Sequence, residues 1–174
     1  HALWGALQAQ GSLAQLQNWI ATKLIAPYPN TTGAIDAFDS KVLAAFSCDR
    51  VSAILTTLDA QGTEAARKVA ATLRQRSPLM LHVVLEQVRR ARSMSLADDL
   101  RMERDLVQHC FDTVHLQRKG VSSETVEGIR ALAVDKDHQP AWNPTRIEDV
   151  TTEMVEPFFV SPWAADAHPL RHLA

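Results

Sequence analysis

The chain has 174 residues, 46% of them hydrophobic and 22% charged, a size and balance that suit one globular domain with its own core and argue against a disordered or fibrous chain. Lys and Arg number 18 against 20 Asp and Glu, for a net charge of -2, so there is no overall cationic field of the kind that nonspecific nucleic-acid binding needs. No apolar run approaches the roughly 20 residues that span a bilayer, and neither nucleic acid nor membrane is an expected partner.

Glycine is scarce at six, strand-like alternation is nearly absent, and apolar residues recur at spacings of three and four, so the expected class is all-α, a bundle of short amphipathic helices. The first residue is His1, without Met and without a leader-like pattern behind it, so the chain is expected to begin inside something longer. In chain order, Ser12 caps a stripe of Leu13, Leu16, Ile20 and Leu24 that Pro27, Tyr28, Pro29 and Asn30 stop. A second helix is expected over 35–46. Asp49 can cap a short helix bearing Val51, Ile54, Leu55 and Leu58, which Gly62 ends, and Thr63 opens another through Ala66, Val69, Ala70 and Leu73.

Ser77 before Pro78 is a cap and first-turn pair, and Leu81, Val84, Leu85 and Val88 continue its apolar face to about Ala91. Ser95 starts a helix over 96–111, with Asp98 and Asp99 where the helix dipole favours carboxylates. Its spacing puts Leu96, Leu100, Val107 and Cys110 on the buried face, with Glu103 in the same stripe. Residues 112–123 read as a loop containing Gly120, residues 124–135 as a helix, and the tail, with five prolines from Pro140 to Pro169, as mostly irregular. The internal boundary falls near Arg76: residues 1–76 form a front layer of short helices, and residues 77–174 hold a helical pair, one more helix and the tail, together one domain.

Catalytic signatures are missing from the pattern. There is no Gly-rich phosphate loop, nucleophile elbow, HExxH, or Cys and His cluster at metal-ligand spacing, so no cofactor or metal is called for. His109, His115 and His138 fall on three different elements and read as capping or solvent-facing. Asp98 and Asp99 point about 100° apart on a helix and do not share a site. Arg89, Arg90 and Arg92 read as cations at a helix C-terminus rather than a phosphate site. Cys48 and Cys110 are expected as free buried thiols, with a disulfide left open.

One ordered series of signals remains. Ser77, Pro78 and Leu79 open a helix; Ser95 and Leu96, then Met102, Glu103 and Leu106 follow. After the loop come Glu127, Gly128, Ile129, Arg130 and Ala131, then Asp135, Lys136, Asp137, Pro140, Trp142 and Pro144, with Val150 and Phe158 closing it. The series resembles the C-terminal part of the 3-hydroxyisobutyryl-CoA hydrolase family, within the enoyl-CoA hydratase and isomerase (crotonase) superfamily. The chain departs from that pattern in having Glu124 and Thr125 where the family places an Asp and an aromatic residue, and in a longer loop over Thr113–Val121.

The resemblance implies hydrolysis of a branched 3-hydroxyacyl-CoA thioester in valine breakdown, in the mitochondrion if the source is eukaryotic. In that family two backbone N–H groups hold the thioester oxygen and carboxylates move the proton. They belong to a front half, a spiral of strands and helices, that is not found here. No catalytic residue is therefore assigned, and the expected partners are that N-terminal crotonase half, an acyl-CoA and a second subunit. The superfamily's C-terminal helices cover the acyl-CoA pocket or mediate subunit contacts, and Lys136 is the position from which a cation would approach the CoA phosphates. The alternatives are a noncatalytic interaction protein of the same fold and a hydratase or isomerase. Two structural expectations accompany these: Glu103 is buried and paired with Arg130, because an unpaired buried carboxylate is costly, and Trp142, stiffened by Pro140 and Pro144, anchors the tail on the helices of residues 78–111.

Overall fold

The computed structural model describes residues 40–118 and 123–173. The chain divides into two units, residues 1–40 and 41–174, and all but the first described residue belong to the second. The Leu13–Leu24 stripe, its stop and Gly120 lie outside the described residues; of the helix expected over 35–46, the described part is α1, Ser40–Ala45. The described residues are helical, with no strand among them.

Helices α2 (Val51–Gln61) and α3 (Glu64–Arg74) form a hairpin whose turn is written locally. Gly62 sits at φ +63 and ends α2 in the left-handed conformation that glycine tolerates, and the Thr63 hydroxyl accepts from Ala66 N at 3.1 Å to open α3. The cap of α2 is Arg50, with no side-chain bond; Asp49, expected there, stands one residue too early. Ala66 and Ala70, both fully buried, let α3 approach α2 closely against Val42, Ala45, Ile54, Leu55 and Leu58. Asp59, in the last turn of α2, is tied to Arg74, at the end of α3, by two bonds at 3.2 and 2.5 Å.

Helices α4 (Pro78–Ala91) and α5 (Leu96–Phe111) are opened by Ser77 and Ser95, whose hydroxyls accept from Met80 N and Asp98 N at 3.2 Å each. They enclose the second core: Leu79 and Val83 of α4, Met102 and Leu106 of α5, and Val155 and Phe158 from the tail, where the short helix α7 (Thr152–Val155) runs into a 3-10 turn over Glu156–Phe159. Between them, after a 3-10 turn at Val114–Leu116, lies α6 (Glu124–Ile129), capped by Ser123 and continued by a π turn over Arg130–Val134.

The facing of α5 corrects the sequence reading. Its buried residues are Ala97, Met102, Asp105, Leu106 and His109, centred about 165° round the helix from the Leu96–Leu100–Val107 stripe at 100° per residue. Those three stripe residues are exposed, and so is Glu103. Asp105 and His109 look outward-facing in sequence but are buried, because the returning tail supplies partners for both: Asp105 Oδ1 accepts from His168 Nε2 at 3.1 Å and Ser161 Oγ at 3.2 Å, and His109 Nε2 donates to Val160 O at 2.8 Å.

Candidate functional site

The polar groups converge on α6 and the segment behind it. Glu124, buried in the first turn of α6, accepts from the Ser77 hydroxyl at 2.5 Å, Arg118 Nη1 at 3.3 Å and Asn143 N at 3.1 Å. One carboxylate thus joins the start of α4, the end of the 112–118 loop and the tail. One turn on, Glu127 and Arg130 pair through two bonds at 3.0 and 2.7 Å, and Arg130 also reaches Asp135 at 2.5 Å, Asp137 at 2.7 Å and Gln139 O at 3.0 Å. Glu127 Oε1 additionally accepts from Ala141 N at 2.6 Å. Hydrogen bonding to Arg130 holds the Glu127 and Asp137 carboxyls below their ordinary range, and the Arg130 guanidinium is pushed well above its own, first by Glu127. Three carboxylates folded round one guanidinium at short range make a clamp that fixes the 135–141 segment.

Trp142 closes the clamp. Its ring lies over Gly128, where an added Cβ would meet Cη2 at 3.3 Å, and its Nε1–H donates to Gln75 O at 3.2 Å. Both partners stand outside residues 78–111, so the ring bridges α6 and the end of α3 rather than the α4–α5 pair expected to receive it. Arg130 does not meet Glu103, whose one hydrogen bond is from Gln87 Nε2 at 3.3 Å; the expected buried pair is absent because α5 turns Glu103 outward and local carboxylates satisfy Arg130. Lys136 is exposed, at φ +57 between the two clamped aspartates.

A second constellation was hidden in the histidines. His109 and His115 pack against one another with ring centroids 4.2 Å apart and planes tilted by 54°, and His115 meets Phe158 edge-on at 4.4 Å. His115 Nδ1 donates to Asp112 O at 3.1 Å, which leaves Nε2 as a buried acceptor with no partner among the described residues. Burial first, and then the neighbouring His109, pull its pKa down to about 4. The pair borders an open, mainly apolar cavity of about 660 Å³ shared with Val114, Pro157, Val160 and Pro162. The spacing of His109 and His115 across a helix end carried no sign of this, since a loop turns one ring back on the other.

Neither cluster is a recognisable catalytic set. Ser161, Asp105 and His168 combine the residue types of a hydrolytic triad, yet the serine and the histidine both bond the aspartate, so no base addresses the hydroxyl. Arg90 is spent on Glu86 and Glu156 and stacks on Phe159, and Asp98 on Ser95 and Arg101. The groove of about 480 Å³ beside α4 is lined by Asp49, Glu86, Glu148 and Glu156 against Arg50 and Arg89, a poor balance for phosphates. Both thiols are free and half-buried, and no group of metal-ligating side chains is found among the described residues. No described helix is long and apolar enough to cross a membrane.

The best-organised polar cluster among the described residues is therefore the clamped EGIRA–DKD segment on its helical platform. The family model described as enoyl-CoA hydratase/isomerase matches residues 1–159; the chain belongs to that family. Among curated proteins it is 35% identical over 118 residues to 3-hydroxyisobutyryl-CoA hydrolase-like protein 5 of Arabidopsis thaliana, covering 66% of this chain and 29% of the relative. It is also 35% identical over 121 residues to the mitochondrial 3-hydroxyisobutyryl-CoA hydrolase of Xenopus tropicalis, covering 70% and 29%. The match to 3-hydroxyisobutyryl-CoA hydrolase 1 of Arabidopsis thaliana is likewise 35% over 118 residues. The chain thus spans under a third of the length of these relatives.

Proposed function

We propose that this chain is the C-terminal helical portion of an acyl-CoA thioester hydrolase similar to 3-hydroxyisobutyryl-CoA hydrolase, and that it covers the acyl-CoA site or mediates subunit contacts without being catalytic alone. The observation that carries the reading is the pairing of a family match with a 29% share of each relative's length, alongside described residues that bring together no oxyanion donors with a working base. In the longer protein the reaction is thioester hydrolysis, with the oxyanion donors and carboxylates supplied by the front half, and the acyl-CoA its substrate. Lys136 is the cation offered to the CoA phosphates, on a backbone held from both sides by the Arg130 clamp.

The test is thiol release from 3-hydroxyisobutyryl-CoA. The 174-residue chain is expected to give none above buffer, whereas turnover on the order of 10 per second, typical of a complete enzyme, would overturn the reading. In the longer protein Lys136→Ala is expected to raise KM and leave kcat unchanged; an unchanged KM removes Lys136 from the CoA site.

A further inference from the structure

The apolar stripe of α5 that the sequence places in the core is, apart from the half-buried Cys110, instead on the surface. Val107 is 55% and Phe111 60% exposed, and on α4 Val84 and Val88 are each 50% exposed. These residues form one surface. Gln87 donates to Glu103 across the two helices at 3.3 Å, and Met80, Cys110 and Thr125 line one small cavity, so α4 and α5 run side by side in opposite directions. Val84 and Val88 therefore flank the same seam as Leu100 and Val107, with Ile129, one turn past Thr125, exposed beyond it. Chains that fold alone seldom leave such a surface open on their longest helices.

We propose that this α4–α5 face docks the part of the longer protein that the relatives possess and this chain lacks, an apolar surface with a hydrogen-bond donor opposite Glu103. The proposal rests on the reading of the chain as a C-terminal portion. Two observations choose this occupant. The match covers 29% of each relative, so more than two thirds of a protein of that length lies outside it. Glu103 stands in the middle of the stripe with Gln87 as its one partner, and its Oε2 has none among the described residues. In a two-fold dimer centred on this face the two Glu103 carboxylates would approach one another, a like-charge meeting that disfavours a second copy. A foreign surface bearing Arg, Lys or a backbone N–H fits instead.

The experiment compares the 174-residue chain with the native protein encoded around it. The mass of the native polypeptide is measured first, and then Leu100→Cys, Val107→Cys and, as an exposed control in the tail turn, Ala165→Cys are labelled with a maleimide and read peptide by peptide. Labelling of Leu100→Cys and Val107→Cys is expected to slow by at least about tenfold in the longer protein, with Ala165→Cys unchanged. A longer protein in which both cysteines label as fast as in the isolated chain overturns the docking face and leaves the reading of the chain intact. A native polypeptide no longer than 174 residues overturns both. Protection already present in the isolated chain means that the face is covered from within, and a sedimenting dimer that Val107→Glu returns to monomer means that a second copy occupies it; either result overturns the proposal.

Discussion

Glu124 accepts from the Ser77 hydroxyl, the Arg118 guanidinium and the Asn143 N–H at once, so its removal acts on three elements together. Glu124→Ala leaves these donors without their common acceptor in a buried place and is expected to cost about 3 kcal/mol, as breaking a buried pair does, read as a lower denaturation midpoint with an unchanged slope; Glu124→Gln, which keeps one acceptor oxygen, costs less. Glu103→Ala is expected to stay within about 0.5 kcal/mol of the parent in the isolated chain, because its side chain is exposed and bound only to Gln87. Trp142 is half-buried, so Trp142→Ala should forfeit part of the about 3–5 kcal/mol that a fully buried large aromatic carries. The loss is local: faster amide exchange and proteolysis are expected over residues 137–146, with α2 and α3 still protected. Equal protection in mutant and parent would contradict the bridge from Gly128 to Gln75.

At the scale of elements, the turn holding His115 against His109 and Phe158 ought to weaken in acid. The pKa of His115 falls to about 4 on folding from an ordinary 6.5, so the unfolded chain takes up the proton first as pH drops. The stability this neutral ring contributes is whole above about pH 6.5 and is lost progressively down to about pH 4. His115→Phe is expected to flatten the Tm profile across that window; a variant as acid-sensitive as the parent would assign the effect elsewhere. The same elements show what a sequence can and cannot convey. Gly62, Thr63, Ser77 and Ser95 are legible because a cap is decided by the few residues around it. The facing of α5 is not, since two sides of the helix bear apolar residues and the choice is made by a tail some 50 residues on, whose Val160 and His168 turn His109 and Asp105 inward. For the same reason Glu124 registers in sequence only as a departure from a family pattern, although it joins Ser77 to Asn143. The clamp lies between: its residues stand out as a motif, but that Arg130 gathers Glu127, Asp135 and Asp137, and does not reach across to Glu103, depends on the π turn that brings Asp135 back under it.

For the molecule as a whole, the helices form two small cores, one under α1 to α3 and one between α4, α5 and the tail. The tail that completes the second is fastened far from its start. His168 reaches back 63 residues to Asp105, and Arg101 bonds the carbonyls of Leu170 and Leu173. The Arg130 clamp is the opposite kind of fastening. Its partners lie 3, 5, 7 and 9 residues away, and loops of that size close in roughly 10–100 ns. The two fastenings therefore belong to different moments in the chain's history. The clamp can assemble while the rest is still unfolded, whereas the Asp105–His168 bond waits for nearly everything else. In rapid-mixing experiments Arg130→Ala is expected to slow folding, and His168→Ala to speed unfolding with folding nearly unchanged. Equal effects of the two on the folding limb would refute that order, which makes the segment bearing Lys136 one of the first parts of the chain to take its shape and the C-terminus the last.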